Sequence, residues 1–142
     1  MGNLVFHHMA IACKDQDTIE RWYCKYFGFE RARLIDLGEE KIVFIKNGDA
    51  YLELFAAKED RPYPSPVADG VWFPDWRHIA FKVDDIDAKI AEMGDDANIT
   101  QGPMDFSGFI PGWKTVWVAD PEGNIVEISQ GYVDQDNPPP LD

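Results

Sequence analysis

A repeat constrains this chain more than any other feature. Residues 6–12 read FHHMAIA and residues 77–83 read RHIAFKV, and each stretch places a histidine two positions before an alanine in an apolar alternation. His8 and His78 are 70 positions apart, and so are Asp15 and Asp85. Each stretch runs into an aspartate-bearing turn and then an amphipathic helical segment. Self-similarity at a fixed offset marks a chain assembled from two copies of one supersecondary unit. Two such modules facing each other would bring two equivalent histidines to one cleft.

Within the first module, residues 5–13 alternate as a strand, with His8, Ala10 and Ala12 on one face and Met9, Ile11 and Cys13 on the other. His7 falls on the helix-facing side by that parity. Asp15 to Thr18 form a cap-rich turn, and Ile19, Trp22, Tyr23, Tyr26 and Phe27 follow at helical spacing up to a terminating Gly28. Strands are expected at 29–37, 41–46 and 50–56, with Asn47-Gly48 as the hairpin turn of the last pair. Residues 57–76 form a proline-bearing connection ending in Trp72, Phe73 and Trp76, three large rings expected to cover the core or a ligand. The second module predicts a strand at 77–83 and a helix with Ile86, Ile90 and Met93 on its apolar side. A weak strand follows at 98–101, then a loop at 102–113. Strands at 115–119 and 125–129 are joined by the turn 120–124. Residues 131–142 form a Pro-rich tail that can extend neither a helix nor a central strand.

Composition excludes some classes of function. The formal charge is −13, from 26 acidic and 13 basic residues, which repels phosphate backbones and argues against nucleic-acid binding. No apolar run reaches the roughly 18–20 residues needed to span a membrane. The first residues lack a basic, then apolar, leader pattern, and Cys13 and Cys24 read as core thiols. The expectation is a cytoplasmic protein that binds a small molecule.

Two carboxylates recur with the histidines. Glu53 lies 45 positions after His8, and Glu127 lies 49 after His78, each in the last strand of its module and each flanked by aliphatics that must face the core. Strand parity points each glutamate the same way as its histidine. Two imidazoles and two carboxylates in one cleft invite a divalent cation, because unpaired carboxylates so placed would repel one another and lose hydration. Nitrogen and oxygen donors of this mix suit Zn, Ni, Co, Mn or ferrous Fe. His8, Glu53, His78 and Glu127 are therefore the candidate metal ligands, with His7 as a competitor of His8 that has no counterpart in the second module.

His8-Met9-Ala10-Ile11-Ala12, Asp15 and Trp22-Tyr23 up to Phe27-Gly28-Phe29 resemble the first βαβββ module of the vicinal oxygen chelate superfamily. His78-Ile79-Ala80-Phe81, Val83-Asp84-Asp85-Ile86, and Asp120-Pro121-Glu122-Gly123-Asn124 with Glu127 resemble the second. That superfamily includes glyoxalase I, methylmalonyl-CoA epimerase, extradiol dioxygenases and fosfomycin- and bleomycin-resistance proteins. The resemblance implies an α+β fold of two βαβββ modules, whose curved, mostly antiparallel sheets surround a metal-binding cleft. Residues 4–130 would form a single domain, with module one at 4–56, a linker at 57–76 and module two at 77–130. A His/Glu/His/Glu set is most similar to glyoxalase I. Dioxygenases use two His and one Glu, and bleomycin-binding members usually lack the set.

The resemblance also implies a lyase or isomerase that acts through an enediolate on a small carbonyl substrate, possibly thiol-conjugated. A glutamate beside the metal would move the proton, with Glu127 the first choice and Glu53 the second. Phe44, Arg77, Trp113 and Trp117 are the expected substrate contacts, with Arg33 and Lys114 as further cations. The alternatives are a ferrous-iron dioxygenase and a non-catalytic drug-binding protein. A homodimer is expected because members of the family often pair modules between chains.

Overall fold

The computed structural model describes residues 2–69 and 73–142. The elements are β1 (His8–Cys13), α1 (Gln16–Phe27), β2 (Glu30–Asp36), β3 (Lys41–Asn47), β4 (Ala50–Ala56), β5 (Ile79–Lys82), α2 (Ile86–Met93), β6 (Asn98–Asp105), β7 (Lys114–Ala119) and β8 (Ile125–Gln130). The order βαβββ thus occurs twice in an α+β fold. The strands form two unclosed four-stranded sheets, β1-β4-β3-β2 and β5-β8-β7-β6. In each sheet the first strand runs parallel to the last strand of its module, and the other pairs are antiparallel. The chain divides into two compact units, residues 1–65 with 120–124, and residues 66–119 with 125–142.

In the first unit, Asp15 caps α1. Its Oδ1 accepts from the Thr18 backbone N–H at 3.1 Å, and Gly28 ends the helix in the left-handed region at φ 69°. The Glu122 carboxylate accepts from the N–H groups of Lys14 at 2.7 Å and Asp15 at 2.8 Å. The helix buries Ile19, Trp22, Tyr23, Tyr26 and Phe27 and packs on β3 and β4, whose Val43, Ile45, Leu52 and Leu54 are buried. Each such side chain contributes on the order of 1.5–3 kcal/mol of burial. The opposite face of the same strands carries Phe44 and Glu53.

In the second unit, the Asp85 side chain caps α2 by accepting from the N–H groups of Asp87 and Ala88. Ile86 and Met93 are buried in α2, which packs on β7 and β8, where Val116, Val118, Val126 and Ile128 are fully buried. Among the described residues no helix is long and apolar enough to cross a membrane.

Three expectations are corrected. β1 starts at His8 rather than residue 5, and Phe6 is 75 % exposed, so His7 precedes the strand and escapes its parity. β6 continues to Asp105, through register shifts and a cis Gly102–Pro103 bond, so only residues 106–113 remain as loop. The extension is tolerated because β6 is an edge strand, where a missing N–H leaves no ladder partner orphaned. Phe73 and Trp76 are 80 % and 85 % exposed and add nothing to the core, while Trp72 lies outside the described residues.

Candidate functional site

Each unit carries one His–Glu pair on the sheet face turned away from its helix. In the first unit, the register pairs Ala10 with Glu53 and His8 with Tyr51, so His8 and Glu53 meet diagonally across β1 and β4. His8 Nε2 lies 3.2 Å from Glu53 Oε1. Phe44, directly opposite Glu53 on β3, presents its ring edge-on to His8 at 5.7 Å. His7, expected on the helix side, instead stacks on Tyr51 at 4.9 Å and places its Nδ1 2.7 Å from His8 Nδ1. The concavity here measures about 610 Å³ and is lined by His7, Arg33, Phe44, Lys46 and Tyr51 among others.

In the second unit, Ala80 pairs with Glu127, and His78 sits just before β5. His78 Nε2 lies 3.4 Å from Glu127 Oε1, and His78 Nδ1 lies 3.3 Å from the backbone carbonyl of Asp69. In the tautomer that protonates Nδ1, this carbonyl accepts the proton's hydrogen bond and leaves the Nε2 lone pair on the Glu127 side, the orientation found behind most metal-bound imidazoles. Arg77, expected to contact substrate, is engaged in the same brace. Its Nε donates to the Asp69 carbonyl at 3.2 Å and its Nη2 lies 2.7 Å from the Asp69 carboxylate. Asp69 had no signal in the sequence, being one more acid in a polar connection.

The remaining expected contacts divide. Trp113 packs on Phe106 and Tyr132, and its indole N–H donates to Ser129 Oγ at 3.3 Å. Trp117 stands opposite Glu127 in the register, 6.4 Å from the His78 ring. It is 5 % exposed, and its indole nitrogen is buried without a hydrogen-bond partner among the described residues. Leaving such a donor unpaired costs about 1–3 kcal/mol.

The donors suit a divalent ion. Two ligands held at about 2.0–2.2 Å from one ion, at tetrahedral or octahedral angles, lie about 3.0–3.5 Å apart. The two N···O separations, 3.2 Å and 3.4 Å, fall in that range. Among the described residues, no group of three or more His, Cys, Asp or Glu side chains could hold an ion. Each pair by itself supplies two ligands, fewer than the three protein ligands of a catalytic zinc site.

A twice-repeated βαβββ order, with a half-buried His–Glu pair at the equivalent place in each sheet, defines the class of protein. Residues 5–128 match the family model of the glyoxalase/bleomycin resistance protein/dioxygenase superfamily, and the chain belongs to that superfamily. It is 35 % identical over 101 residues to the uncharacterized protein YaeR of Escherichia coli K12, a match covering 66 % of this chain and 71 % of the relative. It is 26 % identical over 129 residues to the virulence protein STM3117 of Salmonella typhimurium, covering 87 % and 81 %. Among solved structures, the glyoxalase family protein from Enterococcus faecalis superposes with a TM-score of 0.66 at 26 % identity, covering 88 % of this chain and 96 % of that one.

Proposed function

We propose that this protein is a divalent-metal-dependent lyase or isomerase of glyoxalase type, which moves a proton beside a carbonyl in a small-molecule substrate. One observation carries the reading. The pairs His8–Glu53 and His78–Glu127 occupy equivalent places in the two sheets, at separations suited to two ligands of one ion. The proposed ligands are His8, Glu53, His78 and Glu127, for Zn, Ni, Co, Mn or Fe. The bound ion would supply Lewis-acid polarisation of two neighbouring substrate oxygens.

The chain's own residues do the rest. Glu127 accepts the proton from the carbon next to the carbonyl and returns it to the neighbouring carbon, with Glu53 as the second candidate. The Asp69 carbonyl holds the His78 ring in place, and Arg77 holds Asp69. Phe44 and Trp117 provide apolar walls beside the two pairs, and Trp113 a third ring beside Ser129. We propose a homodimer as the working assembly, in keeping with the superfamily.

The test is metal analysis of protein purified without added metal, and again after reconstitution, for wild type and for His8→Ala and His78→Ala. The wild type is expected to hold a divalent ion and each variant to lose it. A screen for proton-transfer activity follows, starting with methylglyoxal plus glutathione. Wild-type protein that holds no ion after reconstitution refutes the reading. Oxygen uptake with a catechol in the iron-loaded protein would replace it with the dioxygenase alternative.

A further inference from the structure

We infer that the Trp117 indole N–H is a specificity-determining hydrogen-bond donor, reserved for an oxygen of the ligand bound beside His78 and Glu127. The inference rests on the metal-dependent reading above. Its evidence is separate, namely a buried donor on a sheet face that has no partner among the described residues. Buried polar groups are nearly always paired, so an orphan of this kind calls for a cause.

The polar side chains around Trp117 make their bonds to other groups. On the same face, the Trp113 N–H reaches Ser129 Oγ at 3.3 Å, and Ser129 Oγ in turn lies 3.2 Å from Thr115 Oγ1. The hydroxyls of Ser129 on β8 and Thr115 on β7 are thus engaged with groups other than Trp117. Glu127, directly across the strand pair from Trp117, is turned to His78 instead. Gln101, the partner of Trp117 on β6, directs its amide nitrogen to the Met104 sulfur at 3.5 Å.

The chemistry of the group selects the ligand. An indole N–H donates and cannot accept. It therefore favours a carbonyl, enolate or other oxygen acceptor and gains nothing from an ammonium or hydrocarbon. A site that leaves a buried donor unpaired discriminates strongly against the analogue lacking the acceptor. The substrate class is narrowed accordingly. Among its oxygens, including any presented to a metal, the molecule must offer an acceptor on the Trp117 side of the His78–Glu127 pair.

The experiment uses the zinc-loaded, full-length protein and acetohydroxamate, a small probe with two neighbouring oxygens. The five indole N–H signals are followed by ¹⁵N-edited NMR, and the Trp117 signal is assigned from its loss in Trp117→Phe. On addition of the probe, the Trp117 proton is expected to move downfield further than the other four. Trp117→Phe is expected to keep its zinc and to bind the probe about ten- to a hundredfold more weakly, the loss of one hydrogen bond to a charged acceptor. Probe binding with the Trp117 signal unmoved, or with unchanged affinity in Trp117→Phe, overturns this inference and leaves the metal reading standing. Protein that binds no zinc overturns both, and zinc protein that binds no probe overturns this inference alone. The wild-type NMR shift decides the matter even if the variant does not fold.

Discussion

Tyr23 Oη donates to Asp120 Oδ2 at 2.9 Å in a buried bond that ties helix α1 to the turn 120–124. The same carboxylate accepts from the N–H groups of Glu122 and Asn124 and from the Asn124 side-chain amide. Burial pushes the Asp120 carboxyl up, against the pull of Asn124, Glu122 and Tyr23. Burial likewise raises the Tyr23 hydroxyl well above its ordinary value, so it remains a donor.

Tyr23→Phe is therefore expected to cost about 1–3 kcal/mol near neutral pH, read from the urea midpoint. The sign of its pH dependence follows from Asp120. A carboxyl raised in the folded state binds its proton more tightly there than when unfolded. The stability this gives is present below the unfolded value, about 3.9, and is lost as pH rises through the folded one. The lost hydroxyl served the charged form, so the deficit of the variant should grow with pH across that window. A deficit that is flat with pH, or larger in acid, would contradict the assignment.

Glu20 and Arg31 form a two-pronged ion pair, Nε to Oε2 at 2.7 Å and Nη2 to Oε1 at 2.5 Å, with Glu20 buried on α1 and Arg31 about half exposed. Arg31→Met is expected to cost about 1–3 kcal/mol, less than a fully buried pair because solvent reaches the guanidinium. Adding Glu20→Gln should recover part of it, since the buried charge is then gone. A double-mutant cycle by urea denaturation measures the coupling, and strict additivity would show that the pair contributes nothing.

The fold was legible because its signals were local and repeated. Asp15 and Gly28 bracket α1, alternation set the inward faces of β4 and β8, and parity turned Glu53 and Glu127 toward their histidines. What escaped depended on tertiary context. Gly102-Pro103 reads as the end of a strand, yet an edge position lets β6 pass through it. His7 was misplaced because parity applies only inside a strand, and the strand begins one residue later. No pattern along the chain could have shown that Asp69 would anchor both Arg77 and His78, because those contacts exist only in the folded chain.

The two cysteines should be nearly inert. Burial, with Glu122, Asp120 and Asp15 adding to it, pushes the Cys13 thiol up to about 12, and burial followed by Glu20 raises Cys24. At pH 8 the thiolate of Cys13 is then about one molecule in ten thousand, and thiolate is the reactive form. Ellman's reagent at that pH is expected to modify Cys24 slowly and Cys13 only on unfolding, so that the second equivalent appears in concentrated urea. Two thiols titrating at the rate of free cysteine would show that Cys13 is not buried as described.

Gly131 marks the end of β8, with φ at +81°, and a Cβ there would meet the Gly112 carbonyl oxygen at 2.3 Å and the Trp113 nitrogen at 3.0 Å. Those atoms are backbone and cannot rotate away. Gly131→Ala should cost about 2–4 kcal/mol, through both overlap and left-handed strain. Gly38→Ala is the control, with φ +89° and open space around the added carbon, and it should cost only about 1 kcal/mol. Equal shifts in melting temperature for the two would mean that the loop before Trp113 yields freely.

Metal binding should appear as stability before any substrate is known. A ligand that binds only the folded protein stabilises it by about 2.7 kcal/mol when present at a hundred times its dissociation constant. Zinc titrated into chelator-stripped protein is therefore expected to raise the melting temperature with a logarithmic dependence on concentration. The same titration with His78→Ala, or with Glu127→Gln, should give little or no increment. The stripped melting temperatures of these variants should stay close to wild type, because both residues sit half-buried on the face away from the α2 core. If instead zinc stabilises the His78→Ala protein as well as the wild type, the ion binds elsewhere and the four proposed ligands do not form its site.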